Sequence, residues 1–106
     1  MPSSYCVTFR IADKNINGKS YDDRRQSIID AVRVQGLGFW EETTSFFLME
    51  SNLDTNTFAK QASAGLSAND DMLVAFDPSD MSAAYFGAMA HPAVLASFFK
   101  TAKKLP

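Results

Sequence analysis

The sequence predicts an α+β domain: one antiparallel sheet with helices on one face, in the order strand, helix, strand, strand, helix, strand, plus a C-terminal helix. Three observations predict it. Residues 5–13, YCVTFRIAD, alternate apolar with small or polar side chains at the period of two that a half-buried strand requires. The stretches beginning at Ser20 and Asp54 open on cap-forming residues and then repeat apolar side chains at helical spacing. Residues 72–76, MLVAF, run continuously apolar between the SANDD turn and DPSD, as a central strand buried on both faces does. A chain of 106 residues makes a single domain, large enough for a core without disulfides or a structural metal.

The elements follow in order. After the first strand, KNING supplies turn residues, and Asn17-Gly18 breaks regular structure. Ser20 with Asp23 three residues later approximates a capping box, and Asp22 and Asp23 suit the positive end of a helix dipole. The helix is expected over 21–35, with Tyr21, Ile28, Val32 and, at the edge, Ile29 on one stripe and Gly36 ending it. Arg25 projects beside that stripe, its stem on apolar surface and its head wet. Arg33 points away.

FWEETTSFFLMES, residues 39–51, reads as one long strand or two arms of a bent one. Phe46 and Leu48 would face one side, Phe47 and Met49 the other. Both faces of this strand are therefore apolar, although a sheet covered on one side only should carry polar residues on its open side. The second face needs a cover, and another copy of the same chain is the cheapest one. Asp54 caps the next helix, Leu53 staples onto Phe58, and Phe58, Ala62 and Leu66 make its stripe. Residues 81–89 are read as a brief edge strand. The last helix is expected over about 92–103, with Pro92 in its first turn and Lys100, Lys103 and Lys104 at its C-terminal end, and MPSS and KLP as frayed ends.

Composition excludes several classes. No apolar run reaches the roughly 18–20 residues of a membrane-spanning helix. MPSSYCVTF lacks the basic and apolar regions of a signal peptide, and the single Cys6 has no partner for an internal disulfide, so a reducing cytoplasm is the expected location. The net charge is −2, which is not the basic footprint of most nucleic-acid binders. Residues 1–40 nevertheless carry six Lys or Arg against four Asp, and residues 41–106 four Lys against eight acids. That asymmetry allows a positive patch near the first strand and helix, or simply a solvated helix face.

A βαββαβ order in about 90 residues is the ferredoxin-like arrangement, a superfold that implies no function by itself. The segments YCVTFRIAD, SYDDRRQSIIDAVRVQG and TTSFFLMESNLDTNTF, with ANDDMLV at the turn into the later strand, resemble the SinR-like proteins, relatives of the CRISPR adaptation protein Cas-two and of VapD-type toxins. The resemblance covers roughly residues 4–90 and implies a homodimer packed through its sheets, in a family associated with nucleic acids and sometimes with metal-dependent nuclease activity. It also implies an Asp near the end of the first strand, where a carboxylate would hold the metal that activates water. This sequence has Arg10 there. A guanidinium binds phosphate bidentately and repels a divalent cation. The expectation is a nucleic-acid contact that replaced a catalytic acid, or an ion pair within an interface.

Arg10, Lys14 and Arg24 are the expected phosphate contacts, and Phe46, Phe47, Leu48 and Met49 the expected dimer interface. No catalytic residue, metal ligand or cofactor is assigned; magnesium enters only if Asp13 serves as a displaced ligand in a nuclease. The competing reading is a non-enzymatic protein–protein module. His91, the only histidine, has no ligand set around it, Cys6 has no neighbouring base, and Thr43, Thr44 and Ser45 lack a nucleophile elbow. Asp70, Asp71, Asp77 and Asp80 lie where turns and caps ordinarily place Asp.

Overall fold

The computed structural model describes residues 2–106. Its elements are β1 (Ser3–Arg10), α1 (Tyr21–Val32), β2 (Phe39–Trp40), β3 (Phe46–Ser51), α2 (Thr55–Ser63), β4 (Met72–Asp77), β5 (Ser82–Gly87), α3 (Pro92–Phe98) and β6 (Lys103–Lys104). They form an α+β fold with one sheet ordered β2-β3-β1-β4-β5-β6. Every neighbouring pair is antiparallel except β5 and β6, which run parallel.

Local chemistry explains the first half. Asn17 and Gly18 both adopt positive φ, 51° and 78°, and Ile16 and Lys19 exchange both backbone hydrogen bonds across them. A two-residue turn with that geometry is the one Asn-Gly favours. Ser20 then caps α1 in a complete capping box: its hydroxyl accepts the Asp23 N–H at 3.1 Å and the Asp23 carboxylate accepts the Ser20 N–H at 3.0 Å. The bond from the Ser20 N–H is the main reason the Asp23 carboxyl lies below its ordinary 3.8. A group depressed in the folded state adds stability above its unfolded pKa and loses it as pH falls through the folded value. Asp23→Asn is therefore expected to lower the urea midpoint at pH 7, with the gap to the parent closing below about pH 3.8. A gap that is the same at pH 7 and pH 3 would refute this.

The core lies between the sheet and α1 with α2. Val7 and Phe9 of β1, Phe47 and Met49 of β3, and Leu73 and Ala75 of β4 meet Ile28, Ile29, Val32, Phe58, Ala59 and Ala62 there. Tyr5 stacks on Phe58 with ring centroids 4.3 Å apart, and its hydroxyl donates to the Leu53 carbonyl at 2.6 Å. Asp54 caps α2 by accepting the Thr57 N–H at 2.8 Å. No helix among the described residues is long and apolar enough to cross a membrane.

Several expectations change. The sheet is mixed rather than antiparallel, because Lys103 and Lys104 pair with Ala84 and Tyr85 in a parallel edge instead of ending a helix. Accordingly α3 stops at Phe98, five residues before the expected boundary. The helices do not share one face: parallel neighbours need a crossover, and the crossover 88–102 passes the second face, where Phe99 packs on Phe76 with centroids 4.8 Å apart. Helix α1 also ends at Val32, ahead of Gly36. The C-terminus is not frayed, since Leu105 is buried and its N–H donates to the Tyr85 carbonyl at 2.8 Å. At the other end β1 already begins at Ser3, and Met1 lies outside the described residues.

Candidate functional site

Strand alternation and register determine which side chains share the second face. Ser4, Cys6, Thr8 and Arg10 of β1 lie opposite Glu50, Leu48 and Phe46 of β3 on one side and Phe76, Val74 and Met72 of β4 on the other. Trp40 extends the Leu48 row, and Ala83 and Tyr85 extend the rows of β4. The two halves of this face differ. Over β4 and β5 the crossover covers it, and Val74 and Ala83 are buried. Over β1, β2 and β3 it is bare: Trp40 is 39% and Leu48 40% exposed. Trp40 meets Phe46 edge-on at 6.4 Å, and a shallow cleft of about 220 Å³ runs between Ser4, Trp40, Leu48 and Glu50. The Gly38 N–H donates to Glu50 Oε1 at 2.6 Å, which leaves the carboxylate's other oxygen free to accept.

Of the four residues expected at an interface, only Phe46 and Leu48 lie on this face. Phe47 and Met49 are buried under α1 and α2, because alternate residues of one strand point to opposite sides. The two apolar faces of β3 thus have different covers, the helices on one side and nothing on the other half of the sheet.

The expected phosphate contacts separate in the same way. Arg24 is 1% exposed and is the largest fully buried side chain of the described residues. Its Nε donates to Asp71 Oδ2 at 3.0 Å, its Nη1 to the carbonyls of Lys14 and Lys19 at 2.9 and 2.8 Å, and its Nη2 to the Ala12 carbonyl at 2.6 Å. Every nitrogen is used, so Arg24 is a structural clamp and has no donor for phosphate. Spacing could have revealed this, since Arg24 stands four residues before Ile28 and eight before Val32 on the buried stripe of α1. Lys14 Nζ pairs with Asp70 at 3.1 Å. Arg10 remains exposed at the end of β1, its Nη2 donating to the Ala88 carbonyl at 3.1 Å.

The other candidates resolve into ordinary roles. Asp71 is buried and accepts the Ala12 and Ser67 N–H groups, each at 2.9 Å, besides pairing with Arg24. Asp77 and Asp80 accept from Ser79 and Ser82 in their own turns. Burial, followed by the Asp77 charge, pushes the Cys6 thiol up, away from the thiolate a nucleophile needs. Arg25 lies over the Phe47 ring at 4.9 Å with its tip on the Thr43 and Thr44 carbonyls, as expected of a packed stem with a wet end. Arg33, expected to point away, instead stacks on Phe39 at 4.5 Å. Thr43, Thr44 and Ser45 belong to the turn between β2 and β3, not to a strand. His91 is exposed at the start of α3 and makes no side-chain cap bond. Asp13 is exposed, and no group of three or more His, Cys, Asp or Glu among the described residues is arranged to hold a metal ion. Comparison of the chain with protein-family models, with curated proteins and with solved structures returns no match.

Proposed function

We propose that this chain is a ferredoxin-like subunit of SinR-like or Cas-two-like type that works as a non-enzymatic assembly module, a homodimer joined through the bare half of its sheet. The strand order β2-β3-β1-β4, antiparallel throughout and backed by α1 and α2, supports the ferredoxin-like assignment for the first four strands. The observation that carries the function is the contiguous run of Trp40, Phe46 and Leu48 over adjoining strands on a face that α1 and α2 do not reach. Large aromatic and aliphatic side chains gathered on one face mark an association surface.

Light scattering on the eluting protein is expected to give twice the 11.7 kDa chain mass. Leu48→Asp should halve that mass with unchanged far-ultraviolet circular dichroism, because Leu48 is exposed and carries no core packing, and should lower the urea midpoint only by the stabilisation that dimerisation supplied. A parent that stays monomeric at tens of micromolar would overturn the reading.

A second reading rests on Arg10, whose guanidinium stands exposed and, among the described residues, has one carbonyl partner and no carboxylate within pairing distance. It makes the same dimer a nucleic-acid binder in which Arg10 contacts phosphate where a nuclease would hold a metal. Fluorescence anisotropy with labelled duplex DNA and single-stranded RNA, in magnesium at low and physiological salt, tests it. Salt-sensitive binding that Arg10→Ala abolishes supports phosphate contact; no binding at either salt leaves the assembly module alone.

A further inference from the structure

The second face of the sheet is covered over one half only, and the same chain carries a feature that matches the other. The crossover that carries α3 covers the β4 and β5 half, where Phe99 packs on Phe76, while the β1, β2 and β3 half leaves Trp40 and Leu48 exposed. Helix α3 buries none of its own residues, and it presents Val94 at 57% and Phe98 at 72% exposure. Helix α3 and the bare strands are thus two unpartnered apolar surfaces on one molecule.

Size and charge agree. A seven-residue helix is about 10 Å long and about 10 Å across, and three strands at about 4.8 Å spacing span about 10 Å between the outer two. Residues 81–106 contain Lys100, Lys103 and Lys104 and no Asp or Glu, whereas residues 39–51 contain Glu41, Glu42 and Glu50 and no Lys or Arg. The three lysines are exposed and form no ion pair among the described residues. Lys100 lies in the crossover and Lys103 and Lys104 form the β6 edge that follows it, whereas the hairpin carries Glu42 and Glu50 besides Glu41, which already pairs with Arg25 at 3.7 Å.

We propose that α3 of each subunit docks on the bare β1, β2 and β3 half of a second copy, with Phe98 and Val94 against Trp40, Phe46 and Leu48. A two-fold axis parallel to the strands, lying between two facing sheets, brings the covered half of one copy over the bare half of the other. The two α3 helices then lie side by side as one shared layer between the sheets. Each contact occurs twice, as a closed two-fold dimer requires. The proposal rests on the homodimer reading and names the segment that makes the contact.

Two measurements test it. Sedimentation velocity of the parent, Leu48→Asp and Phe98→Asp should show both substitutions weakening the dimer, by about thirtyfold or more for a central anchor, with unchanged circular dichroism because both side chains are exposed. Then, on a Cys6→Ser background, chains carrying Leu48→Cys are mixed with chains carrying Phe98→Cys and oxidised. Disulfide-linked heterodimers, read by intact mass, are expected to exceed Leu48→Cys homodimers. A dimer lost in Leu48→Asp but kept in Phe98→Asp, with Leu48→Cys chains crosslinking to each other, would overturn the α3 contact and leave the face reading intact. A parent that is monomeric, or a dimer that survives both substitutions, would overturn both.

Discussion

Arg24→Ala is expected to cost about 3–5 kcal/mol, the range for breaking one side of a buried ion pair. For a domain of this size that lowers the melting temperature by roughly 12–40 °C, at about 4–8 °C per kcal/mol. The physical reason is the arrangement around the guanidinium. Asp71 would keep its carboxylate in the interior with only the Ala12 and Ser67 N–H groups as donors. The carbonyls of Ala12, Lys14 and Lys19 would lose the donors that draw the loop between β1 and α1 against α1. Arg24→Lys should recover little, because an ammonium cannot reach three carbonyls and a carboxylate in the planar fork that Arg24 spans. Chemical denaturation of the two variants beside the parent measures this. A loss under about 1 kcal/mol for Arg24→Ala would mean that the clamp contributes little, in the range of an exposed pair.

Gly87→Ala is the second large effect, expected at roughly 2–6 kcal/mol when backbone strain and overpacking add. Gly87 ends β5 with φ at +91°, a conformation side chains rarely adopt, and a β-carbon there would overlap the Asp71 carbonyl oxygen. That carbonyl accepts the Ala88 N–H at 2.9 Å, and the Ala88 carbonyl in turn accepts from Arg10. Displacement of Asp71 would therefore disturb its pair with Arg24 as well as the start of the crossover. The two sites touch the same residue, so Arg24→Ala and Gly87→Ala should be less than additive in a double mutant. Strictly additive losses would show that Gly87 acts only through its own backbone.

These two residues also mark how far the sequence could be read. The order of the first five elements, the capping box at Ser20, the cap at Asp54, the Asn17-Gly18 turn and the buried strand 72–76 all rest on interactions within a few residues, and local patterns report such interactions directly. Arg24 was legible only in part. Its spacing to Ile28 and Val32 placed it on the buried stripe, yet a guanidinium is buried only when something neutralises it, and that partner, Asp71, is 47 residues away. Charge type suggested a surface contact; long-range pairing decided otherwise.

The candidate face shows the same division. Alternation within Phe46–Met49 was enough to say that both sides of β3 are apolar, which is a property of the strand. Which side the helices take is not. Burial of Phe47 and Met49 under α1 and α2, and exposure of Leu48 beside Trp40, follow from the packing of elements distant in sequence. The C-terminal segment departs furthest from local expectation. Pro92 and the three lysines favour a helix running on to 103, but pairing of Lys103 and Lys104 with the free edge of β5 satisfies backbone groups that an extended helix would leave unpaired. By itself the sequence determined the α+β class, the caps and turn of the first helices and the apolar character of β3, because periodicity and capping are short-range. Only the tertiary structure decided that Arg24 is a clamp, that α3 crosses the second face and that half of this face stays bare, because each depends on partners brought together from distant parts of the chain.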